Sequence, residues 1–342
     1  MSKKICFPFI GDSLGGSHIS SLILINELKN QNYKTRIILH QKGKLSNFLD
    51  NKKIKYDLLK IKKFPSKGPY FLKVLIFMIT NFFVIRNFLI KEKIEIIHGN
   101  DLRVNLIWSF SSIQISKFIW HQRNIIKRNS LLQLLILIFS SHIIVISETV
   151  LNCFIKFLKS KSSIIYNPIK KIKISKNLSH RKVFNIAFIG KDKDDKGFDI
   201  FIQITNHFKK NYNIKFNAYG FKKKILEKNN NFVSYEFTDI NKILSKNDLL
   251  IAPSRKEGFG RSLIEFGMAK KKKILASNIE AHKEIKKKFI KIILIKNEAK
   301  YFIKKIKENK ISKAKIIQNN IAKLSPKFHT NNIIKIYKKL NS

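Results

Sequence analysis

Along the chain, short apolar runs alternate with longer stretches in which apolar residues return every three or four positions. Residues 5–10 form an apolar run that breaks at Gly11-Asp12-Ser13-Leu14-Gly15-Gly16-Ser17, and residues 18–29 follow with helical spacing. Further runs at 35–39, 94–98, 118–121 and 142–146 each end in small or polar residues, among them Gly99, His121 and Ser147. Strands of this kind between helices predict a parallel, doubly wound sheet. Ligands of such sheets lie outside the carboxyl ends of the strands. The tips at Gly15, Gly99, His121 and Ser147 are therefore expected to face one crevice.

The pattern lapses after Tyr166-Asn167-Pro168. Residues 169–182, IKKIKISKNLSHRK, have no sustained apolar face and read as a linker. Strands are then expected at 184–189, 215–219, 232–237, 248–252 and 273–276, with helices at 198–208, 240–244 and 262–269. The chain reads as α/β, with two Rossmann-like domains facing across a cleft. The first is 1–168, joined by a C-terminal helix over 328–342, and the second is 183–327. No short internal repeat is present.

Residues 71–90, FLKVLIFMITNFFVIRNFLI, approach the length of a membrane span, but Lys73, Asn81, Arg86 and Asn87 interrupt them. A buried or interface-lying helix is the expectation. The apolar run at 5–10 is too short for the core of a secretory signal, so a cytoplasmic protein is expected.

Composition adjusts this picture in two places. Two cysteines, Cys6 and Cys153, make neither a disulfide framework nor a thiolate metal site. The net charge of +47 is spread along the whole chain, and only 8 of the 69 basic residues are arginine. Most of that charge reads as solvated surface, including the run from Lys270 to Lys273. The remainder suits an anionic membrane surface. Specific nucleic-acid recognition is not expected, because arginine forks and a recognisable reading module are both missing.

The chemistry concentrates in DLLIAPSRKEGFGRSLIE, residues 248–265. Gly258 and Gly260 allow the backbone to approach a ligand, and the following helix start presents unpaired N–H groups at its positive end. That combination suits a diphosphate. Glu257 on the loop and Glu265 one turn into the helix bring carboxylates, which accept hydrogen bonds from a vicinal diol. Phosphate alone gives no reason for two acids; a sugar carried on a nucleoside diphosphate does. Taken singly, these residues have plainer readings. Gly15-Gly16 is an ordinary turn, His121 a packed histidine, Lys196 a solvated loop lysine, and the two glutamates surface acids.

The strand, the Pro253-Ser254 pair and the Glu-(seven residues)-Glu spacing of EGFGRSLIE resemble the signature of retaining GT-B glycosyltransferases of family 4. GDSLGGSHISSLILINELKNQNYKTRIIL resembles that family's Gly-Gly loop and first helix. HIIVISETV resembles its strand ending in serine, IIYNPI its interdomain entry, and FNIAFIGKDKDDKGFDIFIQI its phosphate-binding strand and Lys-Gly turn. The resemblance covers nearly the whole chain and is patchy over 40–120. It implies a first domain on the acceptor side and a second that binds the nucleotide sugar.

By this resemblance Glu257 would hold sugar hydroxyls near the reacting carbon, and Glu265 the ribose diol. The backbone around Gly258, Phe259, Gly260, Ser262 and Leu263 would contact sugar and diphosphate. Lys196 would neutralise the leaving group, with Gly190 and Lys191 beside it, Lys191 standing where the family usually has arginine. Gly15 and Gly16 would let the first domain's loop approach donor phosphates or acceptor, and His121 would line the reaction centre. No metal or other cofactor is implied. Two departures stand out: Lys270-Lys271-Lys272-Lys273 replaces the usual Gly and Pro, and Glu280-Ala281-His282-Lys283-Glu284 the usual Gly-Gly before a later Glu.

The expected activity is retaining hexosyl-type transfer from a nucleotide sugar to a hydroxyl acceptor, a glycan or lipid-linked molecule in surface polysaccharide or lipopolysaccharide assembly. The expected place is the cytoplasm, docked on the inner face of the plasma membrane. Two rivals share parts of the pattern: a nucleotide-sugar epimerase of the same fold, and a non-catalytic basic adaptor for membrane or nucleic acid.

Overall fold

A computed structural model of the protein describes residues 4–61, 70–126, 131–172, 183–211, 213–221, 231–236, 238–269, 272–309 and 311–340. Most of the expected linker (173–182), Phe237, Lys270, Lys271 and the side chains of residues 70–75 lie outside the described residues. The chain forms two compact units, Met1–Pro168 with Leu324–Ser342, and Ile169–Lys323.

The first unit opens with β1 (Lys4–Phe9), α1 (Gly16–Asn30), β2 (Lys34–Leu39), α2 (Lys44–Asn51) and β3 (Asp57–Leu58). The long α3 (Tyr70–Lys91) follows, then β4 (Ile96–Gly99), α4 (Leu102–Ser111), β5 (Lys117–Gln122) and α5 (Leu131–Phe139). It continues through β6 (His142–Val145), α6 (Glu148–Leu151), α7 (Lys156–Ser160) and β7 (Ser162–Ile164). The seven strands pair in parallel in the order β3-β2-β1-β4-β5-β6-β7. Their near-continuous Ile, Val and Phe runs are what a sheet covered on both faces requires.

The second unit begins with β8 (Phe184–Ile189), a 3-10 turn at Asp194–Lys196, α8 (Phe198–His207), β9 (Ile214–Tyr219) and β10 (Phe232–Tyr235). Next come α9 (Ile240–Lys246), β11 (Leu249–Ala252), α10 (Arg261–Gly267), β12 (Lys273–Ser277) and α11 (Glu280–Lys288). The unit ends with β13 (Ile290–Lys291), β14 (Ile293–Ile295), α12 (Ala299–Lys307), β15 (Lys315–Ile316) and α13 (Gln318–Ile321). Six strands pair in parallel as β10-β9-β8-β11-β12-β14, while β13 and β15 form a separate antiparallel pair.

The last helix, α14 (Pro326–Lys339), packs in the first unit. Ser325 caps it, its Oγ accepting from Phe328 N at 3.3 Å, and Pro326 takes the first turn, where no N–H is needed. Ile333, Ile334 and Tyr337 join the core formed by Phe7, Phe9, Leu24 and Leu28.

Three expectations are corrected. Ser147 is fully buried and caps α6, its Oγ accepting from Val150 N at 3.0 Å, so it is held by the helix start and does not face a crevice. Gly99 is also buried: a Cβ there would stand 2.2 Å from Asn105 Oδ1, so the residue serves close packing. Within the lysine run, Lys272 is buried, not solvated. Its Nζ donates to Asn247 O, and its charge lies 5.9 Å from the centre of the Phe266 ring. Among the described residues no helix is long and apolar enough to cross a membrane. In α3, Phe77, Met78, Asn81, Ile85 and Leu89 are buried, whereas Ile76, Ile79, Phe83, Val84 and Ile90 remain exposed.

Candidate functional site

The site in the second unit is built from two loops that follow neighbouring strands. One leaves β8 through Gly190 and the exposed Lys191 and closes with the 3-10 turn and Gly197. The other leaves β11 as residues 253–260 and enters α10. Asp195 O accepts from both Arg255 N at 2.9 Å and Lys256 N at 3.1 Å, tying loop to loop. Gly197 sits at φ +67°, and a Cβ on it would lie 2.0 Å from Pro253 O. Only glycine allows that approach. The tie brings Lys196 Nζ onto Glu257 Oε2 as an ion pair. Sequence separates these two residues widely; the adjacency of β8 and β11 unites them.

Arg255 is committed elsewhere. Its guanidinium forks onto Asp199 at 2.7 and 2.6 Å, which holds that carboxyl below its ordinary range. Gly260 is left-handed at φ +74° and caps α10. Phe259 and Leu263 are buried in the core, and Leu263 N donates to Gly260 O at 3.1 Å, so a bound diphosphate would have to share that N–H. Ser262 is half-buried at the first turn. Glu265 meets Arg261 one turn before it, with Oε1 accepting from Nε at 3.1 Å and from Nη2 at 2.5 Å. His282, buried beneath the site, bonds through Nδ1 to Ser277 O at 2.8 Å. Burial lowers its pKa, against an opposing pull from the Glu257 charge. Among the described residues no group of three or more His, Cys, Asp or Glu is arranged to hold a metal ion.

In the first unit, Gly15 caps α1 with extended backbone, and Gly16 is exposed with open space where a Cβ would point. His121, near the carboxyl end of β5, is buried within a polar cluster. His98 Nε2 lies 2.8 Å from His121 Nδ1, and His98 Nδ1 lies 2.7 Å from the Tyr337 hydroxyl. Arg123 donates to Asn100 Oδ1 at 2.8 and 3.1 Å and to Asn167 Oδ1 at 2.5 Å. His329 Nδ1 bonds Tyr166 O at 2.8 Å, and its ring stacks beside His121 with centroids 6.4 Å apart. Burial first, and the Arg123 charge second, push His98 and His121 well below the ordinary histidine value. The same causes bring His329 to about 3.

The structure thus joins Lys196, Glu257, Gly190, Gly197 and the α10 start within one unit, and places His121 and Gly15-Gly16 in the other. Sequence reasoning passed over Arg261, four residues before Glu265, although helical i, i+4 spacing marks the pair. It also passed over His98, Arg123 and His329, which only the sheet order and the returning helix bring together. His282 lies within the departure at 280–284, where the change of residue type was the only signal.

Two parallel sheets of seven and six strands in successive units make this a GT-B fold. The fold is shared with Anabaena HepE in complex with UDP and glucose, at 15% identity and a TM-score of 0.75, over 98% of this chain and 99% of that one. It is shared also with a glycosyltransferase from Rickettsia africae ESF-5, at 17% identity and a TM-score of 0.71, over 100% and 99%. The lipopolysaccharide outer core galactosyltransferase WaaB is similar at 12% identity and a TM-score of 0.62, over 98% and 99%. No curated protein matches the chain by sequence. Residues 183–309 match the family described as Glycosyl transferases group 1. The chain thus carries a glycosyl transferases group 1 domain on a GT-B fold.

Proposed function

We propose that the protein transfers a sugar, with retention, from a nucleotide-sugar donor to a hydroxyl of a surface glycan or its lipid-linked precursor. The observation that carries this reading is the Lys196–Glu257 pair, held between two tied loops inside the group 1 domain. A cation beside a carboxylate at strand ends offers charge for a departing diphosphate and an acceptor for sugar hydroxyls. Glu265 is assigned to the ribose diol, with Arg261 fixing its carboxylate. HepE, of the same fold, was solved with UDP and glucose, which supports a nucleotide-sugar donor. WaaB's role in the lipopolysaccharide core supports a surface glycan.

In this reading the leaving phosphate takes the acceptor's proton. The new C1–O bond forms on the face from which the diphosphate departs, and Lys196 and Lys191 neutralise the diphosphate without a metal. The test is a thermal-shift panel of UDP-, GDP-, ADP- and CMP-sugars on the wild type and Glu265→Ala, followed by product analysis with and without acceptor. A donor that stabilises the wild type and fails with Glu265→Ala supports the site. A shift that survives Glu265→Ala refutes the ribose role. Conversion of the donor with no acceptor present identifies an epimerase, and no stabilisation by any donor points to a non-catalytic adaptor.

The proposed place of action is an anionic membrane surface. The exposed apolar stripe of α3 supports it, as does the absence of any acidic residue over 70–91 or 102–139, two segments that together carry eight basic ones. Cosedimentation with anionic vesicles at low salt tests it, and a protein that stays in the supernatant refutes it.

A further inference from the structure

Two hydrogen-bonding groups converge on one nitrogen of His121. His98 Nε2 stands 2.8 Å from His121 Nδ1, and Arg123 Nη2 stands 3.4 Å from the same atom. A guanidinium only donates, so the nitrogen that faces it accepts. With Nδ1 bare, the neutral ring of His121 carries its proton on Nε2, and His98 donates to it from its own Nε2. The other nitrogen of His98 then accepts the Tyr337 hydroxyl proton across 2.7 Å. The bonds run in one direction, from α14 through β4 to the end of β5. Burial and the Arg123 charge keep both imidazoles neutral, so neither ring takes up a second proton that would break the order.

We propose that His98 is a positioning residue which, with Arg123, holds His121 in the tautomer with a bare Nδ1 and a protonated Nε2. In that form His121 offers substrate a hydrogen-bond donor and does not act as a general base. His121 Nε2 is buried and has no partner among the described residues. Its complement is an oxygen of the ligand bound at the strand ends, a sugar hydroxyl or a phosphate. The adjacent His329 is set the opposite way: its Nδ1–H donates to the Tyr166 carbonyl, which leaves its Nε2 bare. The tautomer follows from the hydrogen bonds and the neutrality of both rings, whereas its use on substrate rests on the transfer reading.

Nitrogen NMR of the full-length chain labelled with 15N-histidine decides the tautomer, with His121 assigned by the signal missing in His121→Gln. The expected wild-type signature at neutral pH is a protonated Nε2 and a bare Nδ1. A protonated Nδ1, or an imidazolium, overturns the proposal whether or not the chain is active. His98→Gln retains an amide donor toward Nδ1 and is expected to keep the signature, while His98→Leu mixes the tautomers; identical spectra for the two remove His98 from the role. In transfer assays, His121→Gln, whose amide N–H replaces Nε2–H, is expected within roughly tenfold of wild type. His121→Ala is expected to lose roughly 100-fold, and equal losses in both variants exclude the donor role. A wild type that transfers from no donor refutes the transfer reading and leaves the NMR result standing.

Discussion

Lys196 Nζ is paired with the Glu257 carboxylate, and the pair bridges the loops that follow β8 and β11. About a third of the lysine side chain is exposed, so the pair contributes only about 0–1 kcal/mol to stability. On the proposed function its larger use is chemical. Lys196→Gln is expected to lower kcat roughly 100-fold with little change in Tm, as loss of one preorganised charge on a leaving group does. Glu257→Gln is expected to cost a similar factor. The double variant should lose less than the product of the two, since on the transfer reading both residues act on one bound molecule. Steady-state kinetics with the donor found in the thermal-shift panel measures all three; an unchanged kcat in Lys196→Gln removes the lysine from the site.

Two glycines separate fold from function. Gly197 is left-handed, and any side chain there meets Pro253 O, so Gly197→Ala should destabilise the second unit by about 2–4 kcal/mol. Urea unfolding followed in that unit is the measurement. Gly16 has open space and no positive φ, so Gly16→Val is expected to fold with an unchanged Tm. If the loop approaches a ligand, the same variant loses at least roughly tenfold in kcat/KM. Wild-type kinetics in Gly16→Val would reduce the Gly-Gly loop to a turn.

These two cases show what was legible in the sequence. Ten of the thirteen strands in the two sheets followed from their apolar runs, with residues 184–189 matching β8 at both ends and most others shifted by one or two positions, while β3, β7 and β14 were not expected. The strand, loop and helix start over 248–265 were legible because their residues are contiguous. The partnership of Lys196 with Glu257 was implied only by family likeness, because it arises from the pairing of β8 with β11. The polar cluster around His121 was not legible at all. It needs β4 beside β5 and a helix returning from residues 326–339, and no local pattern encodes such long-range contacts. Burial of Lys272 was missed for a related reason: its partners, Asn247 O and the Phe266 ring, belong to other elements.

Acid is expected to weaken the first unit selectively. Burial lowers His40 to about 4, His142 to about 4 and His329 to about 3, and takes His98 and His121 well below the ordinary 6.5. Between the folded and ordinary values the unfolded chain binds more protons. Stability is therefore complete above 6.5 and falls as pH drops toward the folded values. One pH unit below the ordinary value, each of the deeply buried histidines costs about 1 kcal/mol, and the partly exposed His142, screened by solvent, costs less. Among its described residues the second unit carries one comparable group, His282. Urea midpoints read by unit-specific probes between pH 7.5 and 5 should fall for the first unit and stay nearly level for the second. A parallel decline in both would show that these histidines do not set the acid response.

The outer face of α3 leads to the last prediction. Phe83 is 71% exposed, Ile79 66% and Ile76 56%, and their spacing of three and four residues places them on one stripe. The Phe82–Phe110 and Phe110–Phe139 ring contacts set α3, α4 and α5 side by side, and Leu131, Leu134 and Ile138 of α5 add further exposed apolar groups. A face of this kind gains free energy by entering the acyl boundary, at about 25 cal/mol per Å² of apolar area removed from water. Nearby basic residues add attraction to anionic headgroups that fades with salt. Ile79→Asp with Phe83→Asp should lower binding to anionic vesicles by roughly 100-fold and leave Tm within a degree or two, since both side chains are already in water. Raising salt should weaken the wild type without abolishing its binding. If the double variant binds as the wild type does, or if salt alone removes all binding, the contact is made by the dispersed lysines and α3 has no part in it.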